Sequence, residues 1–215
     1  MSAIRVKICG LSTETTLTAA LDAGADWIGL VHFPKSPRHV ELERARALSR
    51  AAAGRAERVV LLVDPDDALV AAALEAVDPD LIQLHGRESP ERVAAIRART
   101  GRPVMKAVGV AGLEDLKLLA PYAAAADRLL LDAKAPPGSA LPGGNGVAFD
   151  WDLLAGVRLP AGTMLSGGLT PENVAEALRR SGAEAVDVSS GVETGPGLKD
   201  PDRIRAFVAA ARGSA

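Results

Sequence analysis

One cysteine and three histidines are all the chain has of either type, so no internal disulfide can form and no Cys-rich zinc site can be completed. Neither charge is in excess: 25 Lys+Arg stand against 27 Asp+Glu, for a formal net charge of -2 and a pI of about 6.0. A nucleic acid or an anionic membrane as main partner would demand a basic surface that this composition does not supply. No apolar run approaches the roughly 18 residues of a membrane span, and Met1 to Gly10 lacks a signal-peptide core. A cytoplasmic location is therefore expected. No Ser/Gly/Pro-rich linker divides the 215 residues, and a chain of this length can bury one sizeable core. One domain over residues 1–215 is the expectation.

What the sequence does contain is an alternation of short aliphatic runs with Ala/Leu/Arg/Glu stretches of helical character. Strands are predicted at Ile4 to Cys9, Trp27 to His32, Arg58 to Val63, Leu81 to His85, Val104 to Val110, Arg128 to Asp132, Thr163 to Gly167 and Ala185 to Ser189. Between them Glu41 to Ala52, Ala68 to Val77, Pro90 to Thr100 and Pro171 to Ser181 carry apolar residues three or four apart and read as crossover helices. Ser89-Pro90, Thr170-Pro171 and Asp200-Pro201 each set a capping side chain before a first-turn proline. Eight β-α units of about 27 residues predict a compact (β/α)8 TIM barrel in the α/β class. An open doubly wound sheet is disfavoured, because the first strand-helix turn, Cys9 to Thr13, lacks G-x-G-x-x-G.

Barrel chemistry sits at the carboxyl ends of the strands. Two glycine-bearing turns on consecutive units, Ser166-Gly167-Gly168-Leu169 and Ser189-Ser190-Gly191, let backbone N–H groups approach an anion and predict a phosphate site. A short helix after strand eight would add its N-terminal dipole. Cys9 ends strand one and shares a face with Lys7; it is either inert core filler or a thiolate acting as base or nucleophile. Asp132 ends strand six, as a cap or as an acid aimed into the mouth. The long loop Ala133 to Val147, rich in glycine and proline, is an insertion or a ligand cover. Arg38, in the proline-stiffened Lys35-Ser36-Pro37-Arg38, suits a bidentate carboxylate contact. Lys7, Gln83, Lys106 and Asp187 are predicted to point into the barrel, and His85 could bond ligand hydroxyls. His32 and His39 receive no role, and Asp64-Pro65 reads as a turn and cap.

Together these residues resemble phosphoribosylanthranilate isomerases of tryptophan biosynthesis. The resemblance runs in order through Lys7-Ile8-Cys9-Gly10, Ser36-Pro37-Arg38, Gln83-Leu84-His85-Gly86, Leu131-Asp132, Gly143-Gly144-Asn145-Gly146, Ser166-Gly167-Gly168-Leu169 and Asp187-Val188-Ser189-Ser190-Gly191-Val192-Glu193. Asn145 and Val147-Ala148 depart from the family pattern. The resemblance implies a cofactor-free, metal-free Amadori rearrangement with Cys9 as general base and Asp132 as general acid. It further implies substrate contacts from Arg38, His85, Asp187, Gly167, Gly168, Ser189, Ser190 and Gly191, with a small phosphosugar as partner; a monomer is expected over a homodimer. Alternatives are a pentose-phosphate epimerase, a flavin mononucleotide barrel or a non-catalytic phosphosugar-binding barrel.

Overall fold

The computed structural model describes residues 4–134, 143 and 150–213. Its eight parallel strands close into a barrel in chain order. They are β1 (Arg5–Cys9), β2 (Trp27–Val31), β3 (Glu57–Leu62), β4 (Leu81–Leu84), β5 (Val104–Val110), β6 (Arg128–Ala133), β7 (Met164–Leu165) and β8 (Ala185–Val188). Closure brings β1 against β8, with Lys7 opposite Asp187. Around the barrel run α1 (Glu14–Asp22), α2 (Leu42–Ala52), α3 (Asp67–Val77), α4 (Pro90–Thr100), α5 (Leu119–Ala125), α6 (Val174–Ser181) and α7 (Pro201–Arg212). No helix among the described residues is long and apolar enough to cross a membrane.

The period-two alternation of each strand divides the core in two. Trp27, Val59, Leu81, Met105, Leu130 and Met164 fill the barrel interior, while Val6, Ile8, Ile82, Leu84, Leu129 and Leu131 belong to the larger cluster with the helices. Above the interior apolar layer, the same inward positions become polar: Lys7 and Cys9, Gln83, Asp132, and Asp187. This change of chemistry along one strand face builds the site.

Helix limits follow the caps. α4 starts and stops where its residues predict, because the Ser89 hydroxyl accepts from Arg92 N and Gly101 leaves the helix at φ 63°. At α6 the expected start at Pro171 is displaced to Val174: Asn173 Oδ1 accepts from Thr170 N at 2.8 Å, closing a turn where the first helical turn was expected. β7 is two residues rather than five, since Gly167 and Gly168 turn away at φ 83° and 64°, in the left-handed region that glycine alone enters freely. Unit six carries a 3-10 turn, Trp151–Leu154, among its described residues. Most of the predicted loop Ala133 to Val147 lies outside the described residues; Ala133 itself completes β6. The cap of α3 is Asp66, which accepts from Leu69 N at 2.7 Å, and not Asp64. An unpredicted hairpin, β9 (Glu193–Gly195) with β10 (Leu198–Lys199), follows β8.

Lys106 does not point into the barrel. On β5 the inward positions are Met105 and Ala107, so Lys106 faces out, as Val104 and Val108 do. There its ammonium donates to Glu88 Oε2 at 2.8 Å and to the Gly86 carbonyl at 2.7 Å, and it lies 5.6 Å from the Tyr122 ring centre. Glu88 in turn accepts from Asp64 N and Gly86 N, so the buried pair brackets the segment that follows β4. Breaking such a pair costs about 3–5 kcal/mol, and the N–H groups remaining on Glu88 place Lys106→Met at the low end. A loss of about 3 kcal/mol is expected in urea unfolding, and a variant with an unchanged midpoint would refute the bracket.

Candidate active site

Cys9 is buried at the tip of β1. The residue opposite it on β2 is Gly29, where a Cβ would lie 2.9 Å from Cys9 Sγ and 3.2 Å from Lys7 Nζ. Glycine there keeps room for thiol and ammonium together. Lys7 donates to Asp187 Oδ1 at 2.8 Å, and Asp187 Oδ2 accepts from Ser166 Oγ at 3.2 Å. Burial works against the Lys7 charge, but Asp187 and then Cys9 outweigh it, and the ammonium is held above its ordinary range. At Cys9 burial dominates and pushes the thiol up; Lys7 and Lys199 pull it down, and Asp187 pushes it up again. Without ligand, burial and Asp187 outweigh the help of the two cations and hold the thiol above its ordinary range.

Across the mouth, three strands from β1 around the ring, Asp132 sits one residue before the end of β6, beside Gly109 of β5. Its Oδ1 accepts from Ala133 N at 2.9 Å and its Oδ2 lies 3.2 Å from His85 Nε2. His85 Nδ1 lies 3.0 Å from Gln83 Nε2. Gly143, in the glycine loop after β6, sits so close that a Cβ would lie 2.4 Å from both Asp132 Oδ2 and His85 Nε2.

Arg38 is buried and clamped: its Nε and Nη2 donate to the two carboxylate oxygens of Glu193 at 2.7 and 2.9 Å. Lys199 Nζ donates to Glu193 Oε1 at 2.5 Å and to the Ser189 carbonyl at 3.0 Å, and Ser189 Oγ donates to the Cys9 carbonyl at 3.2 Å. Burial opposes the Glu193 charge, yet Arg38 and Lys199 hold it below the usual carboxylate range. Lys199 is lowered by its own burial, with Glu193 opposing. Glu193, quoted in its motif without a role, and Lys199 could not be paired from the sequence because their meeting needs the β9–β10 hairpin, whose strands are too short to show a period. The alternating charge of Glu193 and Lys199 around the turn residues Gly195-Pro196-Gly197 was the available signal.

One cavity at the carboxyl ends of the strands is lined by Cys9, Arg38, His85, Asp132, Gly167, Gly168, Asp187, Ser189 and Ser190, together with Gln83 and Ser166. Gly191 is not in its wall. A Cβ there would lie 1.8 Å from the Leu169 carbonyl oxygen, so Gly191 lets the turns after β7 and β8 pack against each other, and its own carbonyl accepts from Arg203. The expected helix after β8 is a single 3-10 turn, Ser190–Val192, too short to present a helix dipole. His32 and His39 pack with ring centres 4.9 Å apart, His32 Nδ1 donating to the Val40 carbonyl at 2.9 Å.

A closed (β/α)8 barrel whose strand tips converge a thiol, a carboxylic acid and two glycine turns on one cavity defines the class of barrel enzymes that work at the carboxyl face of the sheet. Comparison with known proteins narrows the class. The family model for N-(5'phosphoribosyl)anthranilate (PRA) isomerase matches residues 6–210. The N-(5'-phosphoribosyl)anthranilate isomerase of Azorhizobium caulinodans is 67% identical over 210 residues, covering 98% of this chain and 92% of that protein. The crystal structure of phosphoribosyl anthranilate isomerase from Thermotoga maritima superposes with a TM-score of 0.87 at 37% identity, over 98% of this chain and 99% of that one. A phosphoribosyl anthranilate isomerase structure in complex with reduced 1-(o-carboxyphenylamino)-1-deoxyribulose 5-phosphate gives a TM-score of 0.84 at 35% identity, with 98% and 99% covered. The chain belongs to the phosphoribosylanthranilate isomerase family.

Gly191→Ala puts a methyl group against the Leu169 carbonyl and forces the two turns apart. Overpacking of this kind costs about 1–3 kcal/mol, to be read as a lower urea midpoint; an unchanged midpoint would contradict the contact.

Proposed function

We propose that this chain isomerises N-(5-phosphoribosyl)anthranilate to 1-(2-carboxyphenylamino)-1-deoxyribulose 5-phosphate, with Asp132 as general acid and Cys9 as general base. The observation that carries the reading is the placement of these two groups in one cavity from strands three apart, so that they flank a substrate rather than touch. Asp132 gives its proton to the furanose ring oxygen, the C1–O bond opens, and the nitrogen lone pair closes a protonated Schiff base. Cys9 as thiolate then takes the C2 proton, the electron pair moves toward nitrogen, and the enolamine tautomerises to the ketone. Lys7 and Lys199 favour the thiolate that burial disfavours.

The remaining assignments follow the same geometry. Arg38, aligned by Glu193, faces the anthranilate carboxylate. His85 and Asp187 meet sugar hydroxyls. Gly167, Gly168, Ser189 and Ser190 offer backbone N–H groups to the phosphate, and Gly191 contributes by letting the two turns meet. No cofactor is called for, since every proton the reaction moves has a donor or acceptor among these side chains.

The direct test is loss of anthranilate fluorescence with freshly made phosphoribosylanthranilate. Cys9→Ser is expected to fold and to bind a product analogue while turnover falls about 10²-fold or more, because a serine hydroxyl is far less acidic than a thiol. More than about a tenth of the wild-type rate in that variant would remove Cys9 from the role.

The pH dependence has a definite sign. The working base is deprotonated Cys9, whose fraction rises with pH, and the thiol is pushed above its ordinary range. The ultraviolet absorbance of the thiolate, Cys9 being the one cysteine in the sequence, should therefore still be rising beyond about pH 8.5, the ordinary thiol value. A plateau in that absorbance by about pH 7.5 would contradict the upward shift.

A further inference from the structure

Three buried side-chain polar atoms among the described residues have no hydrogen-bond partner: His39 Nδ1, Gln83 Oε1 and Trp151 Nε1. Gln83 alone of these three residues lines the mouth cavity. It sits on the inward face of β4, directly above the apolar layer, where a residue that served only to fill space would be apolar like Leu81 two positions earlier. Its amide has one partner, His85 Nδ1 at 3.0 Å, and His85 has Asp132 Oδ2 at 3.2 Å on its other nitrogen. The three side chains form a line from the barrel wall to the carboxyl group.

We propose that Gln83 is a positioning residue that holds His85 in the Nε2–H tautomer and thereby keeps the proton of Asp132 available to substrate. This rests on the reading of Asp132 as the general acid. With the amide N–H directed at Nδ1, that nitrogen is an acceptor and the imidazole proton sits on Nε2, so His85 can only donate to Asp132. Asp132 then receives two donors, Nε2–H on Oδ2 and Ala133 N–H on Oδ1, which fix the plane of the carboxyl group. Neither donor can take a proton from it. In the opposite tautomer Nε2 would be a bare acceptor lying 3.2 Å from the carboxyl group, and a protonated Asp132 would give its hydrogen bond to the imidazole in competition with the sugar ring oxygen. The amide orientation that fixes the useful tautomer leaves Oε1 as the unpartnered end, which accounts for the orphaned atom. A substrate hydroxyl entering the cavity can supply the missing donor.

The arrangement makes an unusual prediction about two substitutions. Gln83→Leu removes the amide and frees the tautomer, whereas Gln83→Glu, nearly isosteric, replaces the donor by a group that only accepts and drives a proton onto Nδ1. The isosteric change should therefore do more damage than the apolar one. The experiment pairs turnover with nitrogen-15 imidazole spectra of the ligand-free protein, which has three histidines; the His85 signals are those lost in His85→Asn. The wild type should show His85 with a proton on Nε2 and none on Nδ1. Gln83→Leu should lose that single tautomer and about 10-fold to 100-fold in kcat, part of what an acid of this kind contributes, with KM changed far less. Gln83→Glu should carry a proton on Nδ1 and turn over more slowly still.

An unchanged His85 tautomer in Gln83→Leu, or a Glu variant as active as the wild type, would overturn the proposal. Should Gln83→Glu fail to fold, the Leu variant and its spectrum decide alone. Asp132→Asn separates the two layers of the argument: full turnover in that variant would remove Asp132 as the acid, while the His85 tautomer would still report whether Gln83 sets it.

Discussion

The ion pair of Lys7 and Asp187 sits where the first and last strands of the barrel meet, and most of the site depends on it. A buried ammonium without its carboxylate would be strongly destabilised, so the pair ties barrel closure to the register of β1 on β8, in which these two residues stand opposite each other. The same pair sets the field at Cys9: the ammonium lies beside the thiol, and the carboxylate moderates its effect. Asp187 also takes the Ser166 hydroxyl, which anchors the turn after β7 to the same seam. Closure, the thiol and the turn after β7 are thus coupled through two side chains.

The Asp132 side of the cavity is built on a different principle. No lysine or arginine stands against Asp132 among the contacts described; its carboxyl group accepts from the backbone N–H of Ala133 and lies 3.2 Å from His85 Nε2. The two halves of the cavity accordingly differ in kind. On one side, charges compete over a thiol; on the other, hydrogen-bond direction decides where a proton can go. A reaction that needs a base and an acid at once is well served by environments that do not share their controlling groups.

Much of this was legible in the residues. The barrel follows from eight aliphatic runs spaced by helical stretches, and α4 could be bounded at both ends because Ser89-Pro90 and Gly101 state its caps outright. Cys9, Asp132, His85 and the glycine turns were found as the polar ends of apolar strands. What could not be read depended on contacts distant in sequence. Lys106 was placed inside because alternation was taken without the register of β5 against its neighbours, and a slip of one residue exchanges the two faces of a strand. Glu193 acquires its meaning only when a short hairpin folds it back onto Arg38, 155 positions earlier in the chain. The position of the Cys9 thiol is a balance of burial and Asp187 against Lys7 and Lys199, and no sequence pattern carries that balance.

The separation of 180 residues between Lys7 and Asp187 also bears on the order of events during synthesis. Of the eight barrel strands β1 leaves the ribosome first, yet the counterion that permits its lysine to be buried stands on β8, the strand that leaves last. Until residue 187 emerges, the ammonium of Lys7 must stay hydrated, so the interior face of the first strand cannot be sealed while the chain is growing. The barrel is in this sense locked from its carboxyl-terminal end, and a chain halted short of β8 keeps an open edge that its own sequence cannot close.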